Sequence, residues 1–357
     1  MQLILPVGQR FECADCDRCC RPDWNVEVDA TARFRMRGSY LPLKVQQEKG
    51  IEPFVEEDGL LRLGRHDDGA CVFLEDKLCA IHREHGARAK PRSCRQFPFL
   101  FRVTPAGIVV GTSFYCPSIR ENTGRPIESY RQELEGLARE LRLEETAPSE
   151  IALVEGRPFS WEGYLRLENL LLEAGSLPLA AAVLLRRFVE TEDLFFPTEV
   201  PSPAVDQMLW FLQAALVARL ETDEVEPFLN ALLGDRPVTF KRLGWTGRLS
   251  ELRAYRQQFR LDWLQPLRDR YLRALVERKF LLAHGPVLVN LLLMAVLPDI
   301  LELYTCLSGL ARRVESPEAP DFTAALDIVE LNLTTHGRDD DLLRRLLAQL
   351  LQGSGKS

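Results

Sequence analysis

From residue 128 onward, apolar positions in this 357-residue chain recur every three or four residues, the spacing that lines one face of a helix. The first run is Tyr130 to Leu137. It ends at Thr146, Ala147, Pro148 and Ser149, a composition typical of a linker or domain edge. Beyond that break the pattern predicts helices over Tyr164 to Val189, Val205 to Leu220, Leu249 to Phe280, Val287 to Leu297, Ile300 to Leu310, Phe322 to Leu331 and Asp340 to Leu351. The first third of the chain lacks this rhythm. Its apolar stretches are short and cut by Pro, Gly and Asp: an extended Val26 to Asp29, a turn at Asp67, Asp68 and Gly69, the run Cys71 to Leu74, and a hairpin strand at Gly107 to Val110. The fold class is therefore α+β, mainly α. A small irregular module over residues 1–125 is followed by an all-α helical domain over 126–357.

Composition narrows the partners. A 46% hydrophobic content supports a sizeable core, and a net charge of −7 gives no general attraction for nucleic acid or anionic lipid, so no nucleic-acid partner is expected. The most apolar stretch, Val287 to Leu297, contains Asn290 and is closed by Pro298. It falls short of the roughly 20 apolar residues that cross a bilayer, which predicts a buried helix and no membrane. The first residues carry no basic leader, and their apolar run stops at Pro6, so a cytoplasmic location is expected rather than export. Seven arginines between Leu249 and Phe280, from Arg253 to Arg278, read as a solvated face.

Cysteine placement changes the picture most. Eight of the nine cysteines fall between Cys13 and Cys116. In a reducing compartment, such density points to metal ligation or redox chemistry rather than disulfides. Cys13, Cys16 and Cys19 repeat a two-residue gap that lets thiolates turn back onto one centre, and soft sulfur favours zinc, Cu(I) and iron–sulfur clusters. Cys20, Cys71, Cys79, Cys94 and Cys116 complete the candidate ligand set. The triple spacing matches the first ligands of a bacterial ferredoxin run, for which Cys116-Pro117 offers the remote cysteine followed by proline. Adjacent residues in extended chain point to opposite sides, so Cys19 and Cys20 can serve different centres. One division is an iron–sulfur cluster on Cys13, Cys16, Cys19 and Cys116, with a second metal on Cys20, Cys71, Cys79 and Cys94. His82, at two-residue spacing from Cys79, reads as a surface helical histidine, and Cys306 as a core residue.

Other motifs fail on their context. The tail Gly353 to Ser357 imitates the end of a phosphate-binding loop, but it lacks the first glycine and a following helix. Neither a Gly-x-Gly-x-x-Gly fingerprint nor a strand–helix alternation is present, which argues against a Rossmann-type domain. His-Glu-x-x-His is absent. Acidic pairs at Glu56-Glu57, at Asp67-Asp68 and from Asp339 to Asp341 read as solvation and capping.

Four segments together carry a resemblance: Cys13-Ala-Asp-Cys16-Asp-Arg-Cys19-Cys20, Cys71-Val-Phe-Leu-Glu-Asp-Lys-Leu-Cys79, Pro91-Arg-Ser-Cys94-Arg-Gln-Phe-Pro98 and Cys116-Pro117. In order and flanks they resemble the zinc- or iron-chelating cysteine-cluster family, which includes flagellin lysine N-methylase-like proteins. The resemblance covers about the first 120 residues. It implies an iron–sulfur cluster, or alternatively zinc, on the eight cysteines. Through the methylase branch it also implies methyl transfer from S-adenosylmethionine to lysines of a protein substrate such as flagellin. The other readings are a non-catalytic zinc-stapled scaffold or interaction protein, and a metal-handling or electron-transfer protein.

Overall fold

The structure is a computed structural model and describes residues 2–22, 24–283, 285–335 and 340–353. The acidic position Asp339 and tail residues 354–357 lie outside that range. The chain divides into two compact units, Met1–Phe101 with Val110–Thr146 and Arg102–Val109 with Ala147–Ser357. The helix Arg131–Glu140, which the apolar pattern put at the start of the helical part, belongs to the first unit.

The first unit is built from small pieces around a core that includes Val26, Leu41, Val45, Val72, Phe73 and Ile81. Its clearest hairpin pairs Phe54–Glu57 with Leu60–Leu63 across Asp58 and Gly59. Both turn residues have positive φ, at 52° and 74°, the geometry for which Asp-Gly is preferred because its twist matches that of the strands. The extended segment at Val26 and Val28 adds to this hairpin, with Val28 N donating to Leu61 O and Leu63 N to Val26 O. Phe99–Phe101 and Val110–Thr112 of this unit belong to the strands Phe99–Thr104 and Gly107–Thr112, in a three-stranded sheet of order Leu3–Ile4, Gly107–Thr112, Phe99–Thr104. Glu57 of the first acidic pair meets Arg62, and Asp68 of the second caps Ala70 N at 3.0 Å, so both pairs do local structural work.

The second unit is helical around Val287–Arg312, which packs against Leu177–Thr191, Pro203–Glu221 and Ala319–Val329. This helix corrects one sequence expectation. Pro298 does not close it, and the two predicted runs merge into 26 residues, long and apolar enough to cross a membrane. Burial rather than length marks it as a core helix, since 78% of its most apolar stretch is covered within the structure. Packing around Leu293, Met294, Leu297 and Leu301, all fully buried, offsets the backbone hydrogen bond that Pro298 cannot make.

Elsewhere long predicted helices break. Tyr164 to Val189 becomes Trp161–Glu173 and Leu177–Thr191, parted by Gly175 and Ser176, with Pro178 in the first turn of the second helix. Leu249 to Phe280 becomes Leu249–Arg256 and Leu264–Glu277. Two short hairpins interrupt a region expected to be all-α: Ala152–Val154 with Arg157–Pro158, and Val238–Phe240 with Trp245–Gly247. Their turn glycines Gly156 and Gly244 sit at positive φ, and Val238 and Phe240 are buried either side of exposed Thr239, a period of two rather than 3.6.

The expected arginine face resolves into separate pairings. Arg256 meets Glu302, Arg260 meets Asp262 at 3.2 Å, and Arg273 donates to Leu172 O at 3.0 Å. Arg278 is not on a solvated face at all. It is buried against Glu330, at the start of the π-helical turn Glu330–Thr334.

Candidate metal centre

Each cysteine of the first unit is placed by a local device. In the first loop, Asp15 and Asp17 take positive φ, a conformation that short polar side chains tolerate best after glycine. The chain then closes into the 3-10 turn Arg18–Cys20, with Cys20 N donating to Asp17 O at 2.8 Å and Arg21 gripping Asp17 at 2.8 Å. Cys20 O accepts from Cys71 N at 2.8 Å, which joins the first loop to the second. A tight hairpin, Leu74–Glu75 with Leu78–Cys79, turns on Asp76 and Lys77 at positive φ and sets Cys79 opposite Leu74, at the start of the helix Ala80–His85.

Cys94 lies in the short helix Arg92–Gln96, whose first residue is held by Asp29: Arg92 N donates to Asp29 Oδ2 at 2.8 Å. The same carboxylate caps Ala30–Arg35 by accepting from Ala32 N at 3.0 Å. Cys116 precedes the helix Pro117–Glu121, where Ser118 Oγ donates to Glu12 O and ties this turn to the start of the first cysteine loop. The devices come from four separate stretches of chain, and all eight cysteines fall in one unit.

All nine cysteines of the chain are free thiols. Cys19 Sγ and Cys20 Sγ stand 3.9 Å apart, and Cys20 also hydrogen-bonds Cys79. Through their hydrogen bonds with Cys20, Cys19 is held down to about 7 and Cys79 to about 6, while the Cys20 thiol is pushed far up. Backbone N–H groups of Ile81 and His82 at the start of Ala80–His85 also favour the Cys79 thiolate. Burial pushes Cys71 and Cys116 up to about 11 and Cys94 to about 12.

The electrostatic neighbourhoods connect the set. Cys71, Cys79 and Cys94 feel one another, Cys116 feels Cys16 and Cys19, and Cys13 feels Cys19. Cys19 acts on both groups. Burial works against the Lys90 ammonium, yet the electrostatic pull of the Cys94, Cys19, Cys79 and Cys20 sulfurs holds its pKa above the usual value. Sequence reasoning missed Lys90, whose only signal was its place just before Pro91 and Cys94.

Among the described residues, no three His, Cys, Asp or Glu side chains stand close enough to hold a metal ion as they are. Thiolate–zinc bonds are about 2.3 Å long, so closing a shell requires these thiols to draw together. The donor chemistry fits a soft metal: the sulfurs are unoxidised and gathered in one unit, and two of them have a thiolate favoured near neutral pH. Cys20, Cys79 and Cys94 pack with Trp24 against the apolar core. Trp24, Phe97 and Tyr115 form an aromatic group with ring centroids 5.3 to 6.5 Å apart, and the Arg18 guanidinium sits 4.7 Å above Tyr115. That apolar side is another feature the cysteine pattern did not reveal, and it limits the water that reaches the thiols.

His82 is half-buried on Ala80–His85, and burial holds its pKa below the usual histidine value. Cys306 is buried in Val287–Arg312, in the second unit and away from the set.

No solved structure matches the chain. An uncharacterised protein of Methanocaldococcus jannaschii is similar to it, at 31% identity over 119 residues, which cover 32% of this chain and 38% of that protein. The chain thus spans well under half the length of the curated relative it matches. Residues 12–121, which hold all eight clustered cysteines, match the CxxCxxCC family model, described as "Putative zinc- or iron-chelating domain", and this match places the first third of the chain among the metal-binding cysteine-cluster modules.

Proposed function

We propose that the first unit holds metal on Cys13, Cys16, Cys19, Cys20, Cys71, Cys79, Cys94 and Cys116 as two thiolate centres. An iron–sulfur cluster sits on Cys13, Cys16, Cys19 and Cys116, and a second metal on Cys20, Cys71, Cys79 and Cys94. The observation that carries this reading is that eight free thiols from four stretches of chain fall in one unit, with Cys19 and Cys20 side by side. Lys90 supports it, because an ammonium among thiolates offsets the negative charge that a multi-thiolate centre accumulates. Bound metal would supply structural cross-linking or electron transfer, and the chain supplies ligands, charge balance and an apolar surround. The reading sets the protein in the cytoplasm, where thiols stay reduced.

The resemblance to lysine N-methylases extends the proposal to methyl transfer from S-adenosylmethionine to a protein lysine, with flagellin as the model substrate. That step needs a neutral amine in line with the sulfonium methyl. Metal analysis and the visible spectrum of anaerobically purified protein test the first claim. A brown protein with iron and sulfide supports the cluster, and a colourless zinc protein replaces it with a stapled scaffold. Eight titratable thiols without metal would overturn both. Saturable S-adenosylmethionine binding by calorimetry tests the extension, and its absence in metal-replete protein removes it.

A further inference from the structure

The second unit contains a cavity of about 330 Å³, and its wall combines a cation with apolar surface. Arg102 and Pro105 form one side, Ile151 and Glu155 another, and Gly285 with Val287 bring in the start of Val287–Arg312. Arg102 makes one long contact, Nη1 to Ala283 O at 3.4 Å, and its buried Nε has no hydrogen-bond partner among the described residues. That Nε is closed to any molecule in the cavity, so it is the terminal Nη groups, held among the described residues by one long contact, that an acceptor in the cavity would meet.

A second guanidinium stands close by. Arg344 Nη2 lies where a side chain on Gly285 would come within 2.8 Å of it, and Gly285 has φ +69°, so glycine both permits the turn and lets Arg344 approach the wall. Arg344 Nη1 pairs with Glu155 Oε1 at 3.2 Å, and its Nε is buried without a partner among the described residues. The start of a 26-residue helix adds partial positive charge on the same side. Against these stand two carboxylates, Glu155, which Arg344 already engages, and Glu150, which is exposed at the rim.

We propose that this cavity binds a small organic anion, its carboxylate or phosphate head on Arg102 beside the start of Val287–Arg312 and its short body against Ile151 and Val287. The cavity is large enough for such a molecule. Nothing in this inference depends on the metal reading, because every residue involved lies in the second unit.

Calorimetry of the full-length chain, purified anaerobically, with inorganic phosphate, butyrate and phenyl phosphate tests it. Saturable binding of at least one probe is expected, and the probe that binds identifies the head group. Arg102→Met should weaken that binding by roughly ten- to a hundredfold, the loss expected when a charge-assisted hydrogen bond is removed. Glu150→Gln, an exposed change that leaves the core intact, should tighten it. No saturable binding by any probe overturns the proposal, as does unchanged affinity in Arg102→Met. If Arg102→Met fails to fold, Glu150→Gln decides: tighter binding supports the site, and unchanged or weaker binding overturns it.

Discussion

Arg278 Nη1 donates to Glu330 Oε1 at 2.7 Å, with the two side chains only 5% and 0% exposed. Tyr271 Oη donates to the second carboxylate oxygen at 2.8 Å, and Thr334 Oγ1 reaches the same oxygen at 2.7 Å, so the buried charge is met from three sides. Removing one partner strands the other away from water. Glu330→Gln should therefore destabilise the second unit by about 3–5 kcal/mol, the range for a broken buried pair. Urea unfolding followed by circular dichroism measures it, and a loss below about 1 kcal/mol would show that the pair contributes little.

The same carboxylate gives a pH dependence of known sign. Burial pushes Glu330 up, but the Arg278 charge and the hydrogen bonds around it prevail and hold it at about 2, against 4.5 for the free side chain. A group depressed in the folded state adds stability that is complete above its unfolded pKa and lost as pH falls toward its folded one. The stability gap between wild type and Glu330→Gln should thus be widest above pH 4.5 and narrow steadily between 4.5 and 2. A gap that stays constant from pH 6 to pH 3 would contradict it.

Asp29 joins two segments through one carboxylate, by accepting from Ala32 N at 3.0 Å and from Arg92 N at 2.8 Å. Asp29→Ala should cost about 1–2 kcal/mol as a lost helix cap. It should also loosen the segment that carries Cys94, seen as faster alkylation of that thiol by mass spectrometry. Asp29→Asn keeps a cap oxygen and should recover most of the stability. Equal alkylation rates in Asp29→Ala and wild type would confine the residue to capping.

A side chain at Gly64 would come within 2.0 Å of Glu52 O, a backbone atom that cannot swing aside. Gly64 N meanwhile donates to Pro53 O at 2.9 Å, and Gly64 O accepts from Val72 N at 3.2 Å, next to Cys71. Gly64→Ala should destabilise the first unit by about 1–3 kcal/mol, the range for overpacking a tight contact. Thermal unfolding reads the loss, and an unchanged midpoint would show that the two strands separate easily there.

The periodicity of the second unit was legible where burial of one helix face dictates it, as in Trp161–Glu173 and Leu264–Glu277. Breaks were harder to place. Pro298 is carried inside a helix by its packing, whereas Gly175 and Ser176 end one, and local preference does not rank those two outcomes. The short hairpin at Val238–Phe240 was hidden because three residues are too few to establish a period. In the first unit the cysteine spacing named the thiols but not their arrangement. The link from Cys20 O to Cys71 N, the Asp29 bridge and the approach of Lys90 all join residues far apart in sequence.

The two-centre reading makes its own separable prediction. Cys94→Ser should remove the metal that also uses Cys20, Cys71 and Cys79 and leave the other centre, so the second metal is lost while iron and sulfide remain. Cys116→Ser should do the reverse, losing the visible absorption of a cluster while keeping the second metal. Metal binding by a small module is folding free energy, so chelation under reducing conditions should open the first unit to protease while the helices of the second persist. Hydrogen exchange resolves the two units directly, with faster exchange expected at Ala80–His85 and Arg92–Gln96 but not in Val287–Arg312. If either single substitution strips all metal, the eight thiols form one interdependent centre. If chelation leaves exchange at Ala80–His85 unchanged, the metal does not hold the fold.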